Sequence, residues 1–243
     1  MARPRFDPEH ARLVEPDAAG VLIPDARLDA PALRRFFTRA AGGIDSIARA
    51  ASPDPVDSRP LPTATELAAL TPAAVLVGLV QRPAGLTVLL TRRTAHLNDH
   101  AGQISFPGGR TDPDDASPVA TALREAHEEV GLAPSAVEVI GRLPLHDTST
   151  GFIVTPVVAL VEPVEAFAPE PFEVAEVFET PLAFLMDPRN HELREVAWNE
   201  GGVAMTRRFR AMPWHSDGER YFIWGATAAM LHSLYRLLAS GAD

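Results

Sequence analysis

The hydrophobic pattern becomes regular near Ala73 and stays so almost to the end of the chain. Ala74-Val75-Leu76-Val77-Gly78-Leu79-Val80 is a short, continuous apolar run, the pattern of a buried strand. Leu86-Thr87-Val88-Leu89-Leu90-Thr91 repeats the signal. Residues 81–85, with Pro83 and Gly85, supply a hairpin turn between the two. A helix is expected from Pro118 to Val130. Ser117 is a good N-cap, Pro118 suits the first helical position, where no N–H is needed, and Gly131 suits the stop. Strand patterns return at 137–140 and at Phe152–Val161, residues 173–185 mix strand and helix signals, and a last helix is expected over 226–238. Hairpin strands, a helix, more strands and a terminal helix predict a mixed α/β sandwich, not a doubly wound parallel sheet.

Residues 1–70 read as an N-terminal extension ahead of a domain over 71–243. Within the extension, residues 30–50 carry a helical pattern with Leu33, Phe36, Phe37 and Ala40 on one side, interrupted by Gly42-Gly43. Ser52-Pro53-Asp54-Pro55 and Ser58-Arg59-Pro60-Leu61-Pro62 read as linker. Apolar residues make up 46% and charged residues 22% of 243, the balance of a soluble globular protein. No apolar run approaches the ~18 residues of a membrane span. Met1-Ala2-Arg3-Pro4-Arg5-Phe6-Asp7 lacks the order of a signal peptide, and the chain has no cysteine, hence no disulfide, zinc–thiolate site or cysteine nucleophile. A cytoplasmic protein without membrane contact is the expectation. The net charge is −10, and all 22 basic residues are Arg. That balance argues against a nucleic-acid partner, which needs a basic footprint. Arg suits local, bidentate recognition of phosphate.

The candidate chemistry lies in Gly108-Gly109-Arg110-Thr111-Asp112-Pro113-Asp114-Asp115 and, farther on, Arg124-Glu125-Ala126-His127-Glu128-Glu129-Val130-Gly131-Leu132. Glu125, Glu128 and Glu129 stand at i, i+3 and i+4, so a helix carries them on one side. Such carboxylates repel one another, and a hard divalent cation offsets the repulsion. A metal-bound water is a nucleophile, and the metal screens the charge of a phosphate. Three glutamates alone also describe a plain solvated helix face. The whole string decides between the two, because it resembles the Nudix box, whose second half is complete at 124–132. The first half departs from the box. Fourteen residues separate Gly109 from Arg124, one more than the general pattern, and an Asp, either Asp115 or Asp112, stands for the first Glu. The resemblance implies an α+β fold, a Nudix-type α/β/α sandwich with a mixed β-sheet. It also implies a hydrolase that uses Mg²⁺ or Mn²⁺, held by Glu125, Glu128 and Glu129 with the Gly109 carbonyl as a further ligand. Arg124 then pairs with a box carboxylate and orients it. Ala126, Val130 and Leu132 pack under the sheet, and His127 is exposed and silent.

Residues 89–109 carry a narrower resemblance, to the coenzyme A pyrophosphatase branch of that family. Arg93, Gly102 and Phe106-Pro107-Gly108-Gly109 match its signature, while Thr94 replaces a small residue and Asn98 a second Arg. Blocks at 150–158, 173–182 and 224–228 are similar as well. The branch implies hydrolysis of coenzyme A or its derivatives to 4′-phosphopantetheine and 3′,5′-ADP, with Arg93, Gly108 and Gly109 at the substrate. Glu173 or Glu176 would serve as general base or additional ligand. Alternatives stay open: another nucleoside diphosphate derivative such as ADP-ribose or NADH, or a Nudix-fold binding module without turnover. Trp224 reads as core or as a stacking platform for a base. Arg207, Arg208 and Arg210 read as a solvated face or a 3′-phosphate site, and His96 and His100 as turn residues or proton carriers. A small-molecule partner is expected, and the extension leaves room for a homodimer.

Overall fold

The computed structural model describes residues 6–16, 20–40, 65–66, 69–94, 102–148 and 150–241. Its elements are β1 (Arg12–Pro16), α1 (Ala30–Ala40), β2 (Thr71–Arg82), β3 (Gly85–Arg93), β4 (Ile104–Ser105), β5 (Gly108–Arg110), α2 (Pro118–Val130), β6 (Val137–Arg142), β7 (His146–Asp147), β8 (Phe152–Val161), β9 (Val174–Pro181), α3 (Leu182–Leu185), β10 (Glu192–Glu200), β11 (Val203–Ser216), β12 (Glu219–Trp224) and α4 (Gly225–Ser240).

The main sheet is mixed. β2 runs antiparallel to β3 and, from Thr71 to Val80, parallel to β8, and β9, β4, β6, β7 and β5 extend the sheet around this centre. The pleat explains the continuous apolar runs: successive side chains leave on opposite faces, and both faces are covered. From one face Ala74, Leu76 and Val80 of β2, with Val157 and Ala159 of β8, meet Ala122, Ala126 and Val130 of α2. From the other, Val77, Leu79, Val158 and Leu160 join Leu33 and Phe37 of α1 and Leu231 and Leu234 of α4. Helices on both faces make this an α/β/α sandwich of the α+β class, with the mixed sheet expected. Each large aliphatic side chain so buried contributes about 1.5–3 kcal/mol.

A break in the sheet positions the site. β2 and β3 pair only from Leu79–Val88 to the hairpin turn. β9 lines the other edge of β3 from Thr87 to Arg93; beyond the break β4 takes the place of β2 on β3, and β5 takes the place of β3 on β2, with Val75 opposite Gly108 and Ala74 opposite Gly109. The glycine pair thus lies flat on β2 beneath α2.

Below the sandwich, β1, β10, β11 and β12 form a second, four-stranded antiparallel sheet that the sequence reading did not anticipate. Tyr221 of β12 stacks on Phe178 of β9 with ring centroids 4.0 Å apart, which joins the two sheets. The helix expected over 30–50 is seen as Ala30–Ala40, and its remainder, like residues 52–62, lies outside the described residues. Among the described residues no helix is long and apolar enough to cross a membrane.

Candidate active site

α2 is held at both ends by its own sequence. Ser117 Oγ accepts from the Ala120 N–H at 3.2 Å, and Pro118 stands in the first turn. At the other end Gly131, with φ 69°, adopts the left-handed conformation, and the Leu132 N–H bonds the Ala126 carbonyl at 3.3 Å. The loop before β9 is tied on as well: the Ala168 N–H donates to Val130 O at 3.0 Å and the Glu170 N–H to Glu129 O at 2.9 Å.

The three glutamates of α2 occupy three environments. Glu128 is 57% exposed, Glu125 16% and Glu129 6%. Glu129 Oε2 accepts from the Gly108 N–H at 3.1 Å, and its Oε1 is 3.9 Å from Arg93 Nη1. Burial pushes the Glu129 carboxyl up to about 7, opposed by the Gly108 N–H and Arg93 and helped by the charges of Glu125 and Glu173. Burial also raises Glu125, against the pull of Arg124. Gly109 makes room: a Cβ there would stand 2.6 Å from the Glu125 carboxylate.

Arg124 ties the glutamates to the loop before the helix. Its Nε and Nη2 reach the two Asp115 oxygens at 3.1 and 2.9 Å, and its Nη1 reaches Glu125 at 3.0 Å and Glu128 at 2.9 Å. Asp115 also accepts the Asp112 N–H at 2.9 Å. These bonds, the Arg124 pair first, hold the Asp115 carboxyl far below the usual carboxylate range. Asp112 stays at 3.8 Å from Arg124 and is exposed. Of the two candidate aspartates, Asp115 is therefore the one built into the cluster.

Of Glu173 and Glu176, one joins this group. Glu173 is exposed at the start of β9, and its charge reaches Glu125 and Glu129. Its carbonyl accepts the Thr94 N–H at 3.0 Å, and Thr94 Oγ1 donates to Phe172 O at 2.8 Å. Glu176 lies on the reverse face of the sheet, 3.4 Å from Arg92, and accepts the Tyr221 hydroxyl at 2.7 Å. The pleat separates them: Arg92 and Arg93 are chain neighbours that point to opposite faces. His127 is exposed, and Ala126, Val130 and Leu132 are buried. Arg208 pairs with Glu195 at 3.0 Å across the second sheet, Arg210 is buried there, and Trp224 packs against Phe6 and Phe209. His96, Asn98 and His100 lie outside the described residues. Sequence reasoning passed over Arg92 and Tyr221, whose only signal was the alternation along β3 and β12.

A metal ion finds suitable chemistry here. Glu125 and Glu129 are carboxylates whose burial disfavours their charge, and an oxygen-only, electronegative donor set suits a hard divalent cation. Among the described residues no three carboxylates or imidazoles already converge as a cage, since Arg124 engages Glu125 and Glu128.

Comparison with known proteins shows the family. The NUDIX domain model matches residues 70–200. NudL of Escherichia coli (strain K12), described as an uncharacterized Nudix hydrolase, is 45% identical over 163 residues, which cover 67% of this chain and 80% of that protein. NudL of Shigella boydii serotype 18 gives the same figures. Among solved structures, the Nudix hydrolase RenU from M. smegmatis overlaps with a TM-score of 0.40 at 25% identity, over 46% of this chain and 71% of that one. The chain belongs to the Nudix hydrolase family, whose members generally use divalent metal ions.

Proposed function

We propose that this Nudix hydrolase cleaves the diphosphate linkage of coenzyme A or its derivatives, releasing 4′-phosphopantetheine and 3′,5′-ADP. The observation that carries the reading is the meeting of Arg93, from the coenzyme A pyrophosphatase-like signature, with Glu129 of the box helix at 3.9 Å. A guanidinium in that position is suited to hold a phosphate oxygen beside the carboxylates. In this reading Glu125, Glu128 and Glu129, with the Gly109 carbonyl, hold Mg²⁺ or Mn²⁺. The ion, when bound, supplies an activated water and screens the charge of the diphosphate.

The chain's own groups supply the rest. Asp115 fixes Arg124, and Arg124 orients Glu125 and Glu128. Arg93 and the Gly108-Gly109 backbone hold the diphosphate in line. Glu173 accepts the proton as the water oxygen bonds to one phosphorus. The bond between that phosphorus and the bridging oxygen breaks, and the bridging oxygen leaves with the other phosphate. Glu173 suits this role better than Glu176, which Arg92 and Tyr221 already engage on the reverse face.

A second reading keeps the chemistry and changes the substrate to ADP-ribose or NADH. It is favoured by Asn98, which stands where the branch signature has a second Arg. Product analysis by chromatography and mass spectrometry separates the two. Coenzyme A, ADP-ribose and NADH are incubated separately with and without Mg²⁺ or Mn²⁺. Metal-dependent 4′-phosphopantetheine and 3′,5′-ADP, formed faster than the other products, is the expected result. Faster turnover of ADP-ribose or NADH would replace the first reading with the second, and no turnover of any would remove both.

A further inference from the structure

On the reverse face of β3 from the glutamates lies a cleft of about 500 Å³, within the size range of small-molecule sites. Four parts of the chain line it: Phe6 and Glu9 from the N-terminal segment, Arg92 from the end of β3, residues 102–104, and Arg220, Phe222 and Trp224 from β12. We propose that this cleft is a nucleoside-phosphate subsite, in which an aromatic base lies against Trp224 and Phe6 and a phosphate meets Arg92 and Arg220. The inference rests on the diphosphatase reading above, and it names the end of the substrate that this part of the molecule holds.

The lining has the two chemistries that such a ligand needs. Trp224 and Phe6 meet edge to face, with centroids 6.0 Å apart and planes at 70°, and both stay partly exposed where they line the cleft. Bases stack on such surfaces whatever their identity. Each guanidinium lies over a ring, Arg220 5.2 Å from the Phe222 centroid and Arg92 5.0 Å from that of Tyr221. The rings hold the planar forks in place, and a phosphate takes such forks with paired, charge-assisted hydrogen bonds. Each cation already has a carboxylate neighbour, Glu9 for Arg220 and Glu176 for Arg92, the latter at 3.4 Å. A phosphate therefore competes with them, and binding should weaken as salt rises.

Position adds a second argument. Arg92 and Arg93 are consecutive, so the cleft and the glutamate site share β3 as a common wall. Their guanidiniums leave that wall on opposite sides, on the order of 10–15 Å apart. Gly102 and Gln103, which line the cleft, are bonded to the Arg93 backbone at 3.2 and 3.0 Å. A substrate with its diphosphate at Arg93 and its nucleoside end in the cleft must therefore pass around the end of β3, since β4 and β9 close both edges of the strand at Arg92.

The test is calorimetric titration of adenosine 3′,5′-bisphosphate into the full chain with EDTA present, which removes any contribution from a metal. Wild-type protein is expected to bind one equivalent. Trp224→Leu, which keeps an apolar contact for Phe6 and Phe209, and Arg220→Met should each bind about tenfold more weakly. Arg34→Gln, outside the cleft, should bind as wild type, and circular dichroism confirms that each variant is folded. Absence of binding by the wild type, or binding by the two cleft variants as tight as that of the wild type, overturns the proposal. So does competition for the cleft by 4′-phosphopantetheine in place of the nucleotide, which would assign it to the other end of the substrate. A chain that binds the nucleotide here but hydrolyses no diphosphate would sink the diphosphatase reading and leave this site standing.

Discussion

Gly108 and Gly109 are adjacent, yet they are glycine for different reasons. Gly108 has φ 154°, and a Cβ on it would stand 2.4 Å from the Ala74 carbonyl oxygen and 2.6 Å from the Val75 Cα. Those are backbone atoms of the central strand, and they cannot move away. Gly109 faces only the end of the Glu125 side chain at 2.6 Å, which can. Gly108→Ala is therefore expected to destabilise the fold by about 2–3 kcal/mol, read from denaturant unfolding. Gly109→Ala should leave unfolding almost unchanged and lower turnover on the order of 100-fold by displacing Glu125. Equal effects of the two on stability would refute the distinction. Glu129 gives a sharper separation of fold from chemistry. Burial already disfavours its charge, so Glu129→Gln removes an unfavourable term and keeps the side chain's shape. Turnover should fall more than about 100-fold. The wild type should also melt at higher temperature in Mg²⁺ or Mn²⁺, by mass action on the folded state, and the variant should lose that rise. A variant that retains full activity would remove the metal assignment.

At the scale of elements, legibility followed how local each signal was. α2 was readable to the residue because Ser117, Pro118 and Gly131 act within one turn of it. β2, β3 and β8 were readable because burial on both faces leaves unbroken apolar runs. β4 and β5 were not, since two or three residues are too few to carry a strand signal, and their pairing comes from the break between β2 and β3. The glutamates were legible as a group but not as three environments. Glu128 and Glu129 are one residue apart, roughly 100° around the helix, enough to put one at the rim and the other under the sheet edge. A contact between distant elements illustrates the same limit. Arg82, at the end of β2, bonds Glu179 of β9 through Nε at 3.0 Å and the Val164 carbonyl at 2.9 Å. Burial raises the Glu179 carboxyl, but the bonds from Arg82 and Thr87 outweigh it and leave the carboxyl below its ordinary value. A depressed carboxyl stabilises the fold above its unfolded pKa, and that contribution is lost as pH falls. Arg82→Met should lower stability by about 1–3 kcal/mol at neutral pH and by less near pH ~3. A deficit that does not shrink in acid would show that the pair contributes little.

For the whole molecule, the question is whether the extension and the sandwich are separable. Reading a boundary at residue 70 rested on Pro-rich composition, which reports on the linker and not on what precedes it. The described parts of the extension are packed into the domain. Leu33 and Phe37 are buried in the same core as α4, and Phe37 fills the space above Gly141 of β6. Arg27 reaches the C-terminal end of α4, where its Nη2 donates to the Leu238 carbonyl at 2.8 Å and the Gly241 carbonyl at 2.7 Å. Carbonyls at a helix end have no partner within the helix, and a cation there also opposes the negative end of the dipole. Tyr235 of α4 returns the contact with a hydroxyl bond to the Val21 carbonyl at 3.0 Å. Farther along, β1 pairs with β10, and Phe6 closes over Phe209 and Trp224. We therefore expect one cooperative unfolding transition for the full chain, seen alike by calorimetry and by Trp fluorescence. Arg27→Met should lower stability by about 1–3 kcal/mol, or roughly 3–10 °C in the midpoint, without splitting that transition. An early, separate transition in the wild type would mean that the extension docks as an independent unit, and its contribution to the cleft at Trp224 would then be conditional on that docking.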